Sequence, residues 1–347
     1  MDRTKPASAG AARAETLLTK LQTRFVGKLE AIAKSNGLPE SFTPVEWLRD
    51  EGVHGGGVRY VAPVDSIFDR ASVNYSQVHY DDCSEKPLGS ATALSTIIHP
   101  AYPLAPSIHM HISWTEMKSG DGYWRIMADL NPAIPDKEDQ KRFELCLQDI
   151  AGRYYEEGKI QGERYFFIPA LNRHRGIAHF YLESFHTEDE SADIALAKTL
   201  GERVIDCYAE ILRVKLEDCG PPSAQEMQQQ LAYHTLYFFQ VLTLDRGTTS
   251  GLMVHDQNDI GIMGSLPSHV DPALLKSWQG KLPEPQDQLL EALLGCLSQD
   301  SPCPIDEVTK KKVADTVRTH YRRHPDAIKL QASGNTVPTT VDNHIKK

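Results

Sequence analysis

Two histidines separated by one residue, His109 and His111, are the side chains whose spacing most directly suggests chemistry. They lie in a run rich in β-branched and aromatic residues, which predicts a strand over residues 108–114. Successive side chains of a strand alternate between its faces, so His109, His111 and Ser113 share one face and apolar residues share the other. Two imidazoles on one face could share a metal ion or a carboxylate. The same spacing also fits two histidines that only form hydrogen bonds or face solvent.

Further candidate residues follow in the next stretches of chain. Asp129 comes after a predicted strand and fits either a turn or a reactive carboxylate. His179 lies in a strand predicted at 176–185, where a buried histidine with one hydrogen bond is as good an interpretation as a metal ligand. A three-ligand site for Fe(II), Cu or Zn would be formed by His109, His111 and either His179 or Asp129.

The surrounding pattern predicts an α+β chain. Apolar residues at helical spacing predict helices from about Glu15 to Asn36, over about 136–157 and over about 191–216, and two more at 286–298 and about 305–322. Strands are predicted at 97–98, 108–114, 123–127, 165–168, 176–185, 237–244 and 251–254. Because the sequence has neither regular βαβ alternation nor a glycine-rich phosphate motif, we expect no organic nucleotide cofactor.

Composition narrows the class of partner. The chain has 347 residues, 40% of them apolar, and 37 basic against 47 acidic residues give a net charge of -10. That charge disfavours nucleic acid and anionic membrane surfaces as partners. There is no apolar run of the roughly 18 residues that a membrane span needs, so we expect a cytoplasmic protein.

Several motifs, in the same order, resemble the oxygen-dependent coproporphyrinogen III oxidase family. The family signature His-Pro-x-x-Pro-x-x-Pro-x-Ser-His-x-Asn-x-Arg is matched at His99, Pro100, Pro103, Pro106 and His109, with His111 and Ser113 in place of the final Asn and Arg. Its Asp-Leu-Thr-Pro is matched at Asp129, Leu130 and Pro132, its Arg-Asn-x-x-Arg-Gly at Asn172, Arg175 and Gly176, and its Asp-Arg-Gly-Thr at Asp245, Arg246, Gly247 and Thr248.

The resemblance implies a single domain with a large antiparallel sheet flanked by helices on both faces, paired into a homodimer. It implies oxidative decarboxylation of a carboxylated substrate by molecular oxygen, without an organic cofactor. The implied catalytic residues are His109, Asp129 and Arg175, and the implied substrate-binding residues are His99, Asn172, Asp245 and Arg246. Composition, helical pattern and the extent of the resemblance together predict a disordered lead-in at 1–13, a catalytic domain at 14–298, an extra helix at 299–325 and a polar tail at 326–347.

Three family arginines are replaced, by Ser113, Leu171 and Gln257. Each lost cation removes a charge-assisted interaction worth about 1.5–3 kcal/mol, which argues against coproporphyrinogen itself as the substrate. Two alternatives follow: an Fe- or Cu-dependent oxidase that acts on a small non-porphyrin metabolite through the histidine site, and a catalytically inactive binding protein.

Overall fold

The structure, a computed structural model, describes residues 3–38, 41–63, 66–217, 220–255, 257–334, 341 and 344. Within them the helices are α1 Ala9–Ser35, α2 Lys137–Ala151, α3 Tyr155–Phe166, α4 Glu190–Glu217, α5 Ala224–Thr243, α6 Arg246–Val254, α7 Asp259–Ile262, α8 Pro272–Lys276, α9 Gln286–Leu294 and α10 Glu307–Arg323. The strands are β1 Thr43–Leu48, β2 Gly55–Val61, β3 Phe68–His79, β4 Leu88–Pro100, β5 Ser107–Met117, β6 Gly122–Asn131, β7 Phe167–Ile168, β8 Arg173–His174, β9 Ala178–Phe185, β10 His269–Val270 and β11 Cys303–Pro304.

One large antiparallel sheet organises the molecule. In the described part of the chain it has seven strands in the order β1-β2-β3-β4-β5-β6-β9. One face carries apolar side chains that pack in a core with α1, α2 and α4, and the other face looks towards a second core built on α5, α9 and α10. The α+β class, with one antiparallel sheet between helices in a single domain, is therefore confirmed.

The first helix begins earlier than the composition suggested. The Ser8 side chain accepts a hydrogen bond from the Ala11 amide and caps α1, and Ala11 and Ala14 are fully buried. The disordered lead-in predicted for 1–13 is thus replaced by helix from Ala9 onward. The end of α1 is as expected, with its cap at Asn36 followed by Gly37 at φ +79°.

Two predicted strands are helices. Residues 237–244 lie almost entirely in α5, which a capping box between Ser223 and Glu226 starts. Residues 251–254 lie in α6. Between Tyr233 and Thr243 every residue of α5 is buried, so the segment lacks the polar stripe of a surface helix and its aromatic residues imitate a strand.

The predicted helix at 136–157 is divided. It ends at Gly152, whose φ of +49° interrupts α2, and the chain resumes as α3 after a short 3-10 turn. Helix α3 then includes Tyr165 and Phe166, so the strand predicted at 165–168 is reduced to β7.

The chain beyond residue 298 packs on the rest of the domain. Helix α10 inserts Val313, Val317 and Tyr321 into the second core. Beyond it the Ala332 amide donates to the Leu244 carbonyl at 2.9 Å, so the start of the predicted polar tail is ordered. Residues 335–340, 342–343 and 345–347 of that tail lie outside the described residues. None of the described helices combines the length and the apolar character needed to cross a membrane.

Candidate active site

A cavity of about 300 Å³ lies between the polar face of the large sheet and the layer that contains α5 and α6. Strands β3 to β6 and β9 form its floor, because every second residue of each strand points into it. The floor side chains include Asn74, Ser76, Ser95, His109, His111, Ser113, Arg125 and Tyr181, and the opposite wall includes Tyr165, Arg175, Tyr237, Asp245 and Arg246.

Strand β5 shows the predicted alternation. His109, His111 and Ser113 line the cavity, whereas Met110 and Ile112 are fully buried in the core on the other face. The two-residue period of the strand therefore places both imidazoles on the cavity side, as expected from the sequence.

His109 is held by a buried carboxylate on the neighbouring strand. Its Cα pairs with that of Asp129 across β5 and β6, and its Nδ1 lies 3.0 Å from Asp129 Oδ1. Arg175 Nη2 donates to Asp129 Oδ2 at 2.7 Å, and Arg175 Nε donates to Asn131 Oδ1 at 3.1 Å. Asn131 Nδ2 in turn donates to Asp129 Oδ2 at 2.5 Å. The structure thus brings the three predicted catalytic residues into one network, with Asp129 inside β6 instead of in a turn.

The electrostatics of this network fix its protonation. Burial of Asp129, which is 0% exposed, would by itself raise its pKa, but Arg175 and then His109 outweigh burial and hold the pKa well below its usual range. Burial would also lower the pKa of Arg175, yet Asp129 keeps it above its usual value. An ionised Asp129 requires a hydrogen on His109 Nδ1, which leaves Nε2 as the nitrogen able to accept a proton in the cavity.

A second buried ion pair closes the cavity beside this network. Arg246 Nη2 donates to Glu183 Oε1, and Tyr181 donates to the same oxygen at 3.0 Å. Asp245 caps α6 by accepting from the Thr248 amide at 2.7 Å and also accepts from the Tyr165 hydroxyl at 2.9 Å. Asp245 and Arg246 therefore line the cavity, and both also hold its wall together.

Two predicted substrate-binding residues are not placed on the cavity. His99 is 0% exposed, and its two ring nitrogens contact Ser107 Oγ at 2.9 Å and the Ser265 carbonyl at 3.2 Å. Asn172 lies in an exposed turn with a φ of +48°. His99 is buried between β4 and the helical layer. At position 172 an asparagine suits the left-handed backbone conformation of the turn.

The predicted metal set is not brought together either. His109 Nδ1 is engaged by Asp129, His111 Nε2 by Ser113 Oγ at 3.0 Å, and His179 Nδ1 by Glu163 Oε1 at 3.0 Å. Among the described residues, the groups of three potential ligands whose atoms lie within 4.8 Å of one another do not include His109, His111 or Asp129. His179 belongs to such a group, but with Glu163 and His174, because α3 and β8 lie closer to it than β5 does.

Of the three positions where a family arginine is replaced, only one faces the cavity. Ser113 does, whereas Leu171 packs against the second core and Gln257 is exposed, with its Oε1 accepting from the Asp50 amide at 3.1 Å. Directly across from Ser113 in the β5–β6 register is Arg125, which also lines the cavity. The sequence analysis did not include Arg125 among the candidate residues. A usable signal was its position on the strand predicted at 123–127, where a charged side chain shares a face with Met127.

His99 and His111 predict a pH dependence of stability. Burial lowers the pKa of His99 and of His111 to about 3, whereas an unfolded histidine titrates at about 6.5. The unfolded chain thus binds protons that the folded chain excludes, and stability falls as pH drops from 6.5 towards 3. We expect the free energy of unfolding in urea to fall by about 1 kcal/mol per pH unit for each of them between pH 6 and 4.

His111→Gln should reduce that slope by about 1 kcal/mol per pH unit. His186→Gln, at an exposed histidine, is the matched control and should leave the slope unchanged. A slope that is equal in the wild type and in His111→Gln would contradict a neutral His111 in the folded state.

A family model described as coproporphyrinogen III oxidase matches residues 13–294. The mitochondrial oxygen-dependent coproporphyrinogen-III oxidase of Rattus norvegicus is 28% identical over 263 residues, 68% of this chain and 58% of that protein. That of Mus musculus is 27% identical over 284 residues, 74% and 63% of the two chains. The oxygen-dependent coproporphyrinogen-III oxidase of Rickettsia rickettsii (strain Sheila Smith) is 28% identical over 256 residues, 70% and 89% of the two chains. This chain thus spans less than two thirds of the length of the two mammalian relatives.

Proposed function

The chain belongs to the coproporphyrinogen III oxidase family, and we propose that it catalyses the oxygen-dependent oxidative decarboxylation of a carboxylate-bearing substrate in the cavity beside His109. The observation that carries the proposal is the network of His109, Asp129 and Arg175. It presents one imidazole, in a defined tautomer, to a cavity of ligand size. The names of the rat and Rickettsia relatives support molecular oxygen as the oxidant.

The proposed reaction balances without an organic cofactor. A propionate side chain that becomes a vinyl group loses CO₂, one proton and two electrons. Molecular oxygen takes up the two electrons and, with that proton and a second one from solvent, becomes hydrogen peroxide. An electron-rich ring that carries the propionate would react with oxygen directly. His109 Nε2 would then accept the proton released from the side chain, a general-base role worth about 100- to 10,000-fold in rate.

Asp129 and Arg175 act on the reaction through His109. Asp129 is fully buried, and Arg175 already donates to both Asp129 and Asn131. We assign to these two the positioning of the imidazole and the stabilisation of its protonated form, the role that a buried carboxylate has beside a catalytic histidine in serine proteases.

Arg125 is the cation that we propose for the substrate carboxylate. Arg125 lines the cavity together with Arg175 and Arg246. Arg125 lies on the cavity floor, two positions from Met127 and opposite Ser113. A guanidinium there can accept a carboxylate with two parallel hydrogen bonds.

Arg125→Gln should therefore weaken substrate binding by about 10- to 100-fold, which is the loss of one charge-assisted interaction of about 1.5–3 kcal/mol. We expect a raised KM in steady-state kinetics, because the cation binds the ionised carboxylate of the bound substrate. Arg125→Lys keeps the positive charge and should recover part of the loss. Equal KM values in the wild type and Arg125→Gln would remove Arg125 from the binding site.

The proposal can be tested with a large and a small substrate. A cavity of about 300 Å³ is at the lower end of the range of roughly 300–1,000 Å³ for ligand pockets, which favours a small carboxylated pyrrole as a second candidate beside coproporphyrinogen III. The purified protein should be supplied with each under air and under nitrogen, with oxygen uptake, CO₂ release and product mass measured. Oxygen-dependent decarboxylation of either supports the proposal, and its absence with both overturns it.

A further inference from the structure

Three side chains with metal-ligand chemistry meet behind the cavity wall, where α3, β8 and β9 come together. Glu163 projects from α3, His174 from β8 and His179 from β9. Glu163 Oε1 lies 3.0 Å from His179 Nδ1, and Glu163 Oε2 lies 2.9 Å from His174 Nε2. The three potential ligand atoms all lie within 4.8 Å of one another.

These separations suit a small divalent ion. Zinc binds imidazole nitrogen and carboxylate oxygen at about 2.0–2.2 Å, so ligands around one tetrahedral ion stand about 3.3 Å apart. The contacts of Glu163 with His174 and His179 are a few tenths of an ångström shorter than that, so the ligands need only small displacements to admit the ion. Two imidazoles and one carboxylate also leave at least one coordination position for water.

The backbone around the cluster is rigid. Helix α3 approaches β9 so closely at Gly162 that a Cβ there would lie 2.8 Å from the Phe180 amide nitrogen. The His179 ring stacks on Phe166 at 5.3 Å, and its side chain is only 2% exposed. His179 is therefore held by packing in a position that does not depend on the ion.

The cluster is nevertheless open to solvent. The side chains of Glu163 and His174 are 38% and 33% exposed, so a hydrated ion can reach them.

We propose that Glu163, His174 and His179 bind one divalent transition-metal ion of the zinc type. The ion would add a direct link between these three elements. It would also brace the cavity wall, because His179 is the register partner of Asp129, and Phe166 lies between the rings of His179 and His109. This function is separate from the proposed oxidation and can be measured without any substrate.

A second cluster, His54 with Asp82 and Cys83, provides a comparison within the same chain. Its acidic side chain is the more exposed of the two, since Asp82 is 61% exposed and Glu163 is 38% exposed. Substitution of His54 therefore tests whether bound metal is specific to the α3–β8–β9 cluster.

The experiment uses the full chain after treatment with a chelator. Zinc is titrated by calorimetry, and cobalt is added separately so that its visible absorption reports the coordination geometry. The variants are Glu163→Gln and His174→Gln, both at partly exposed positions, with His54→Gln as the matched control. Thermal unfolding of each metal-free variant shows whether it is folded.

We expect one zinc ion per chain, a rise in unfolding temperature with zinc, and affinity weakened by about 100-fold or more in Glu163→Gln and His174→Gln. His54→Gln should bind like the wild type. The proposal is overturned if the wild type shows no saturable binding, if Glu163→Gln and His174→Gln bind within threefold of it, or if His54→Gln is the variant that loses the metal.

Discussion

His109→Gln is expected to lower kcat by about 100- to 10,000-fold while the protein stays folded. This loss of rate is the one expected for a missing general base. The glutamine amide can donate a hydrogen bond to Asp129 but cannot take up a proton. The fold should tolerate the change, since the His109 side chain is 19% exposed to the cavity and does not belong to either large core.

Initial rates with a turned-over substrate, together with circular dichroism and thermal unfolding, measure this effect. His269→Gln is the matched control, because His269 is an exposed residue of β10 and does not line the cavity. It should retain wild-type activity. A His109→Gln protein with activity within tenfold of the wild type would mean that the proton goes elsewhere.

Asp129→Asn is expected to reduce the free energy of unfolding by about 3–5 kcal/mol and also to reduce activity. The substitution keeps the shape of the side chain but leaves the Arg175 guanidinium, which is 2% exposed, without its anionic partner. An uncompensated buried charge has a cost of that size. Activity falls as well, because the neutral amide no longer stabilises a protonated His109.

A double-mutant cycle can separate the interaction between Asp129 and Arg175 from the contribution of each residue alone. Adding Arg175→Met to Asp129→Asn removes the stranded cation, so the double variant should be more stable than Asp129→Asn alone. Urea unfolding of the four proteins gives the coupling free energy. Strictly additive effects would show that Asp129 and Arg175 do not depend on each other.

The same pair makes the stability of the folded protein depend on pH in the acid range. The folded pKa of Asp129 lies well below the value of about 3.9 of an unfolded aspartate. Its contribution is therefore fully present above about pH 4 and is lost as the pH falls further through the folded value. Asp129→Asn should remove this component from the pH dependence measured below pH 4.

Local patterns in the sequence determined much of the scaffold. The alternation over residues 108–114 correctly placed His109, His111 and Ser113 on one face, because the period of a strand does not depend on the rest of the fold. Similarly, the apolar spacing of α1 and α4 reflects one buried stripe on each helix, which is a local property. The order of motifs from His99 to Thr248 was sufficient to indicate the family.

The apolar pattern did not predict secondary structure correctly where a segment is buried on all sides. Helix α5 is buried on all sides over its second half, so its sequence contains no contrast between a buried and an exposed face. Without that contrast a run of aromatic and apolar residues fits strand and helix equally well, and only the capping box at Ser223 favoured the helix.

Which candidate side chains meet was decided by tertiary structure alone. The sequence placed His179 with His109 and His111, but the close approach of α3 to β9 pairs it with Glu163 and His174. The sequence counted Leu171 and Gln257 as lost substrate ligands, but neither side chain reaches the cavity. It gave no reason to pair Arg125 with Ser113. The sequence by itself thus determined the strand at 108–114, the faces of that strand and the family, because those depend on neighbouring residues. The pairings required the fold, because strand register and helix packing join residues that lie far apart along the chain and leave no local pattern.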